Sequence, residues 1–107
     1  MDDIIFQRAA QGVTSPETGL ILPKEIMVFD TETTGLSKER DDILQFSAID
    51  GAGNTLMNQL FHPVRQRSWP EAERVNQITP QDVADAPLLE AMADDILQLF
   101  RDRKSVV

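Results

Sequence analysis

Two carboxylates two residues apart, Asp30 and Glu32, follow the apolar run Ile26-Met27-Val28-Phe29 and precede Thr33-Thr34-Gly35-Leu36. An unpaired carboxylate inside a strand buried on both faces is costly, so acids at the carboxyl end of such a strand ask for a reason. Strand side chains alternate, which puts Asp30 and Glu32 on one face and Thr31 on the other. Two strand rises separate their Cα atoms by roughly 6.5 Å. Metal ions in two-metal centres lie about 3.5–4 Å apart, so carboxylates at this spacing can bridge or flank such a pair. Hard oxygen ligands select Mg²⁺ or Mn²⁺. The bland alternative is a pair of solvated strand-end acids entering an ordinary loop. Gly35 permits a tight turn and close approach of a ligand to bare backbone. Thr33 and Thr34 offer hydroxyls and amides beside the acids, and Leu36 is an apolar residue just past the turn.

The elements that must position these residues are legible in outline. Glu25 to Thr31 is apolar on both faces, as in a central strand. Asp42 to Asp50 alternates as a second strand, and Asp50-Gly51-Ala52-Gly53-Asn54 is a hairpin signal. Leu56 to Phe61 is a third strand ended by Pro63. Short joins between three sequential strands predict an antiparallel meander. Trp69 to Gln77 reads as a short helix. Thr79-Pro80-Gln81-Asp82 reads as the start of another, with a capping threonine and an acid at the capping-box position. Pro87 keeps it short. Leu88, Met92, Ile96 and Leu99 recur at helical spacing and mark the clearest amphipathic helix, ending near Arg101. Ahead of all this, Asp2 to Gln11 reads as a short helix and residues 14–19 as a turn-rich linker, so the chain divides into an N-terminal segment, 1–24, and a domain, 25–107.

Composition bounds the class. The 107 residues suit one core at most, with 41% apolar and 26% charged residues, as in soluble globular chains. No apolar run approaches the ~18 residues of a membrane span, so no membrane partner is expected. Met1-Asp2-Asp3-Ile4 lacks the basic start of a signal peptide, and there is no cysteine. A cytoplasmic protein fits. The net charge of −8 argues against simple binding to nucleic-acid backbone, but bound divalent cations would supply positive charge locally. The basic clusters Arg65, Arg67, Arg74 and Arg101, Arg103, Lys104 read as solvated surface.

Residues 26–36 resemble the first motif of the DEDD superfamily of 3′–5′ exonucleases, which includes polymerase III proofreading subunits and RNase T. The likeness continues through Ala72-Glu73-Arg74-Val75-Asn76-Gln77-Ile78-Thr79-Pro80 and Asp85-Ala86-Pro87, and covers about residues 25–107. It implies an α/β, ribonuclease-H-like fold, present here as its N-terminal part: the three-stranded meander and the helices after it. It also implies that Asp30 and Glu32 are catalytic and bind two Mg²⁺ or Mn²⁺ ions. Thr33, Thr34, Gly35 and Leu36 would bind the terminal nucleotide at a single-stranded DNA or RNA 3′ end, and Ile78 would touch a base.

The superfamily uses four acids and a general base. Its third acid lies in a segment resembling H-N-x-x-F-D, and the fourth acid and a His or Tyr base come later. None of these matches within residues 1–107; Asp94, Asp95 and Asp102 read as helix-surface acids. His62, the only histidine, lies outside any matching motif and reads as a structural or surface residue. Members pair a fourth strand against the first, so an ending near Ser105 predicts an unpaired edge along residues 25–31 and self-association through it. Two other readings stand beside the exonuclease: a non-catalytic remnant that binds nucleic acid or a polymerase, and a haloacid-dehalogenase-type phosphatase. The second needs D-x-D-x-T and meets Glu32 instead.

Overall fold

The computed structural model describes residues 25–106; the expected helix over Asp2 to Gln11 and the linker over 14–19 lie outside them. Four strands, β1 (Ile26–Thr33), β2 (Ile43–Asp50), β3 (Thr55–Leu60) and β4 (Lys104–Val106), form one sheet in the order β3-β2-β1-β4. Between β3 and β4 lie the helices α1 (Pro70–Asn76) and α2 (Leu89–Asp102). The meander expected of β1, β2 and β3 is present, antiparallel at both joins. At the second join the Asp50 carboxylate accepts hydrogen bonds from the amides of Ala52 and Asn54, both at 2.9 Å. Gly53 takes φ +88° there, a conformation that favours glycine.

Two clusters make the core. Met27, Phe46, Ala48 and Phe61 form the first, covered by Leu89, Met92, Ile96, Leu99 and Phe100 of α2. The Phe29 ring meets Phe100 edge-on at 4.9 Å between centroids and stacks near Phe46 at 5.9 Å. Leu44, Trp69, Ile78 and Val83 form the second. Leu44 and Phe46 are two residues apart yet join different clusters. The β1–β2 ladder slips between Glu32, paired with Gln45, and Thr33, paired with Ile43, so Leu44 is the extra residue of a bulge. The predicted amphipathic helix is confirmed, except that Leu88 is the residue before α2 and 43% exposed; Leu89 takes the inward position.

Four expectations need correction. The first concerns β1, which continues to Thr33 because its ladder with β2 runs that far, so both acids lie within the strand and not at its end. Next, the deeply buried strand is β2, whose residues Leu44 to Asp50 are all buried; in β1 only Met27 is. Both neighbours of β2 are full-length strands, whereas β1 has the three-residue β4 on one side.

The third correction is the segment after Thr79, which forms consecutive turns in place of a helix, with Asp82, Ala84 and Ala86 donating to carbonyls three residues back. The capping box does form: Asp82 accepts from the Thr79 amide at 2.9 Å and its own amide donates to the Thr79 hydroxyl at 3.2 Å. That amide bond lowers the Asp82 pKa from its ordinary 3.8. The cap is in place, but Pro87 leaves too few residues to repay helix nucleation. Last, β4 pairs in parallel with β1, joining Ile26 to Lys104, Met27 to Ser105 and Val28 to Val106. Of the edge expected to lie open over residues 25–31, Ile26 to Val28 are therefore occupied. No helix among the described residues is long and apolar enough to cross a membrane.

The second cluster hangs on one polar tie, the Trp69 indole N–H donating to the Ile78 carbonyl at 2.7 Å in a buried setting. Trp69→Phe keeps most of the ring and leaves that carbonyl unpaired. It should lower unfolding free energy by about 1–3 kcal/mol, read from the urea midpoint; an unchanged midpoint would show that the tie carries no stability.

Candidate active site

The alternation of β1 divides its residues into an apolar and an acidic side. Met27 and Phe29 face the first cluster; Asp30 and Glu32 point the other way, with Val28. Asp30 also accepts the Thr31 amide at 2.9 Å, which fixes its carboxylate near the backbone. Across the ladder Asp30 stands opposite Ser47 and Glu32 opposite Gln45. Ser47 and Gln45 are 1% and 2% exposed, so the floor beside the acids is polar and buried. Asn58 of β3 continues this row, its Oδ1 accepting from Gln45 Nε2 at 2.7 Å and from the Ser47 hydroxyl at 3.3 Å. Gln45 Oε1 is buried and accepts no hydrogen bond among the described residues.

The turn after β1 is braced from within. The Thr34 hydroxyl donates to Asp41 Oδ1 and accepts from the Asp42 amide, both at 2.9 Å, while the Thr34 amide donates to the Asp42 carbonyl. The other Asp41 oxygen accepts the Ser37 amide at 2.9 Å. A Cβ on Gly35 would sit 2.5 Å from that oxygen, so glycine here makes room for Asp41. Asp42 accepts the amides of Arg65 and Gln66, and Arg65 Nη1 donates to the carbonyls of Lys38 and Asp41. On the other side Asn76 Nδ2 donates to the Thr33 carbonyl at 3.1 Å and Asn76 Oδ1 accepts the Ile78 amide, tying α1 to the end of β1.

The residues singled out from sequence therefore separate. Asp30 and Glu32 share a face. Thr33, Gly35 and Leu36 line a cleft of about 790 Å³ with Thr31, Val64 and Leu88, on the opposite side of β1, and neither acid lines it. Leu36 is fully exposed. The Thr34 hydroxyl is spent on the turn and its residue is buried; Ile78 is 0% exposed and packs with Trp69. The structure therefore corrects the expectation that Ile78 touches a base, because its side chain has no surface to offer. His62 has an exposed ring whose Nδ1 lies 2.9 Å from the Val83 carbonyl, as fits a surface residue. Sequence reading passed over Asp41, Asp42, Gln45 and Asn76. The one signal available was the polar character of Gln45 and Ser47 within an otherwise apolar strand.

Among the described residues no three His, Cys, Asp or Glu side chains gather closely enough to hold a metal ion. Two carboxylates with neutral oxygen groups behind them do fit Mg²⁺ or Mn²⁺, which keep several waters and take one or two protein carboxylates.

Residues 27–107 match the family model of RNase T type described as an exonuclease. The DNA polymerase III subunit epsilon of Rickettsia conorii is 33% identical over 86 residues, 76% of this chain and 37% of the relative. That of Rickettsia felis is 31% identical over the same shares. Among solved structures, E. coli exonuclease I in complex with a 5cy-dA13 oligonucleotide superposes with a TM-score of 0.59 at 28% identity, covering 75% of this chain and 19% of that one. An exonuclease I complex with the SSB C-terminus matches equally well. The chain thus spans about a third of the length of the curated relatives it matches.

Gly35→Ala tests the brace directly, since it drives a methyl group into a carboxylate already held by Thr34 and Ser37. We expect a loss of about 1–3 kcal/mol in urea unfolding, with the Asp41→Ala background absorbing most of it; full additivity of the two substitutions would refute the steric origin.

Proposed function

The chain belongs to the RNase T-type exonuclease family, and from that membership we propose that residues 25–107 carry the first part of a divalent-metal-dependent 3′–5′ exonuclease centre. The ribonuclease-H-like fold of exonuclease I, shared here, supports the reading at the level of architecture. The observation that carries it is the placement of Asp30 and Glu32 on one face of β1, over a buried polar floor made by Gln45 and Ser47. A purely structural strand would fill that floor with apolar groups, because burying amide and hydroxyl groups costs free energy and yields no packing advantage.

In this reading Asp30 and Glu32 hold Mg²⁺ or Mn²⁺. Bound there, such ions supply an activated water and neutralise charge developing on the phosphate and the leaving 3′-oxygen. The chain's own contribution is to fix the two carboxylates. β1 sets their spacing, the Thr31 amide holds Asp30, and the Thr34–Asp41–Asp42 brace with Asn76 pins the strand's end. Leu36, fully exposed beyond Gly35, is the apolar group able to meet a terminal base, with Thr33 and Gly35 beside it. Thr34 serves the turn.

The substrate class is a single-stranded DNA or RNA 3′ end. The epsilon-subunit relatives favour a setting beside a polymerase in the cytoplasm, and the oligonucleotide in the exonuclease I complex favours nucleic acid as the ligand. The other two acids and the base that the family uses have no match in residues 1–107, so hydrolysis by this chain alone should be far below that of a complete centre. Removing members of a cooperating catalytic set is grossly non-additive in its damage.

Titration with Mn²⁺, followed by loss of the free-ion EPR signal, separates this reading from a non-catalytic binding remnant. Asp30→Asn or Glu32→Gln should weaken binding at least ~10-fold, the scale of 1.4 kcal/mol in affinity. Mn²⁺ binding that ignores both substitutions, or no binding by the unaltered chain, would favour the remnant.

A further inference from the structure

We infer that the outer edge of β3 is a docking site for a second copy of this chain, the two β3 strands pairing antiparallel across a two-fold axis normal to the sheet. The inference is independent of the metal-binding reading above.

Among the described residues β3 has β2 on one side and no strand on the other. The Phe61 amide donates to the Leu44 carbonyl, so the backbone of Phe61 turns toward β2. Backbone direction alternates along an antiparallel strand, so Gln59 and Met57 follow Phe61, while Asn58 and Leu60 direct their N–H and C=O groups outward. Of these four groups, the Leu60 carbonyl alone has a partner among the described residues: it accepts Gln59 Nε2 at 2.9 Å and keeps a second lone pair. Exposed edges are commonly blunted by charge or proline. Thr55 to Leu60 contains neither, in a chain of which 26% is charged. The ladder slip beside Leu56 bends the start of the strand and confines the pairable stretch to Met57 through Leu60. The opposite side of the sheet is less suited to a second copy. There β4 has three residues, and past Val28 the edge of β1 runs through Asp30 and Glu32, which two copies would set in like-charge repulsion.

Charge also sets the orientation. Asp82 and Asp85 line a cavity with Gln59 and Leu60, so acids lie beside one end of β3, while the exposed residues at the other end, Gly53 to Thr55, are neutral. An antiparallel pair puts the acids of each copy beside the neutral end of the other; a parallel pair would bring the acids together. An axis normal to the sheet continues equivalent faces, so Asp30 and Glu32 of both copies open on the same side of one continuous sheet.

Sedimentation of the full 107-residue chain between about 10 µM and about 1 mM should show a monomer–dimer equilibrium. Gln59→Lys and Gln59→Glu each set like charges near one another at the axis, and each should weaken the dimer at least ~10-fold. The two signs discriminate, because Gln59→Lys reduces the net charge of −8 and would leave unchanged or strengthen association through another surface. Amide exchange by NMR locates the contact. The Asn58 and Leu60 amides should exchange at least ~10-fold more slowly in the parent dimer than in Gln59→Lys, while the Met57 and Phe61 amides, turned toward β2, exchange alike in both. Should a variant fail to fold, the same comparison between concentrated and dilute parent replaces it. A chain that stays monomeric at about 1 mM would overturn the inference. So would a dimer whose affinity stays within about twofold in Gln59→Lys, or one whose Asn58 and Leu60 amides exchange as fast as in the monomer.

Discussion

Strand β1 has to satisfy opposite demands on its two faces, and the rest of the domain is arranged around that requirement. On one side Met27 and Phe29 need apolar cover, which α2 supplies through Met92, Ile96 and Phe100. On the other side two carboxylates two residues apart exclude an apolar neighbour, because ionised groups facing a dry surface lose several kcal/mol of hydration each. The cross-strand positions on β2 are accordingly Ser47 and Gln45, although flanking residues of that strand are apolar. Burial of this polar pair then forces a third partner, and Asn58 on β3 provides it. One alternation rule in β1 thus propagates through two further strands.

Where the strand ends, the constraint becomes one of satisfying backbone. The connection from Thr33 to Ile43 carries no regular structure over most of its length, and its amides must find acceptors. Asp41 and Asp42 take that role: between them they accept a hydroxyl and three backbone amides, reaching from the turn itself to Arg65 and Gln66. This arrangement explains two residue types that read as ligand contacts in the linear sequence. Thr34 is a threonine because its hydroxyl both donates and accepts within the turn, and Gly35 is a glycine because Asp41 occupies the space of a side chain. A stiff turn here holds the carboxyl end of β1, and with it the spacing of the acids.

What could be read in advance followed from local periodicity. The meander, the amphipathic α2 and the Asp30–Glu32 pair each announce themselves within ten or so consecutive residues, through alternation, helical spacing or turn chemistry. The failures are all non-local. β4 exists because Ile26 to Val28 offer it an edge, which no property of Lys104-Ser105-Val106 reveals. The turn run after Thr79 has a genuine capping box and lacks only the length to propagate, a balance between cap and Pro87 that residue preferences taken singly do not resolve. Ile78 lies in a segment that resembles the family, a likeness that implies contact with a base; its burial comes from Trp69, nine residues earlier, which pulls the chain inward through the indole bond. The Leu44 bulge, which decides which cluster each residue of β2 joins, leaves no mark in the pattern at all.

The charge of the chain bears on how an anionic substrate could be held. A phosphate approaching two carboxylates at 4 Å meets repulsion of about 1 kcal/mol per unit-charge pair in bulk water and about 4 kcal/mol at the effective dielectric of a protein surface. With a net charge of −8 there is no general excess of cations to offset this. Nor does Arg65, the arginine bound to the turn, stand ready to do so: its guanidinium donates to the Lys38 and Asp41 carbonyls, and its position is fixed by Asp42. Two ionised carboxylates therefore repel a phosphate unless cations intervene. In the proposed reading, Asp30 and Glu32 would hold a divalent ion that offsets this repulsion, and the chain's acidity elsewhere would cost little, since surface charges more than about 8–10 Å away are largely screened at physiological salt. The neutral row of Ser47, Gln45 and Asn58 beside the acids is compatible with that proposal, because it adds no charge of either sign.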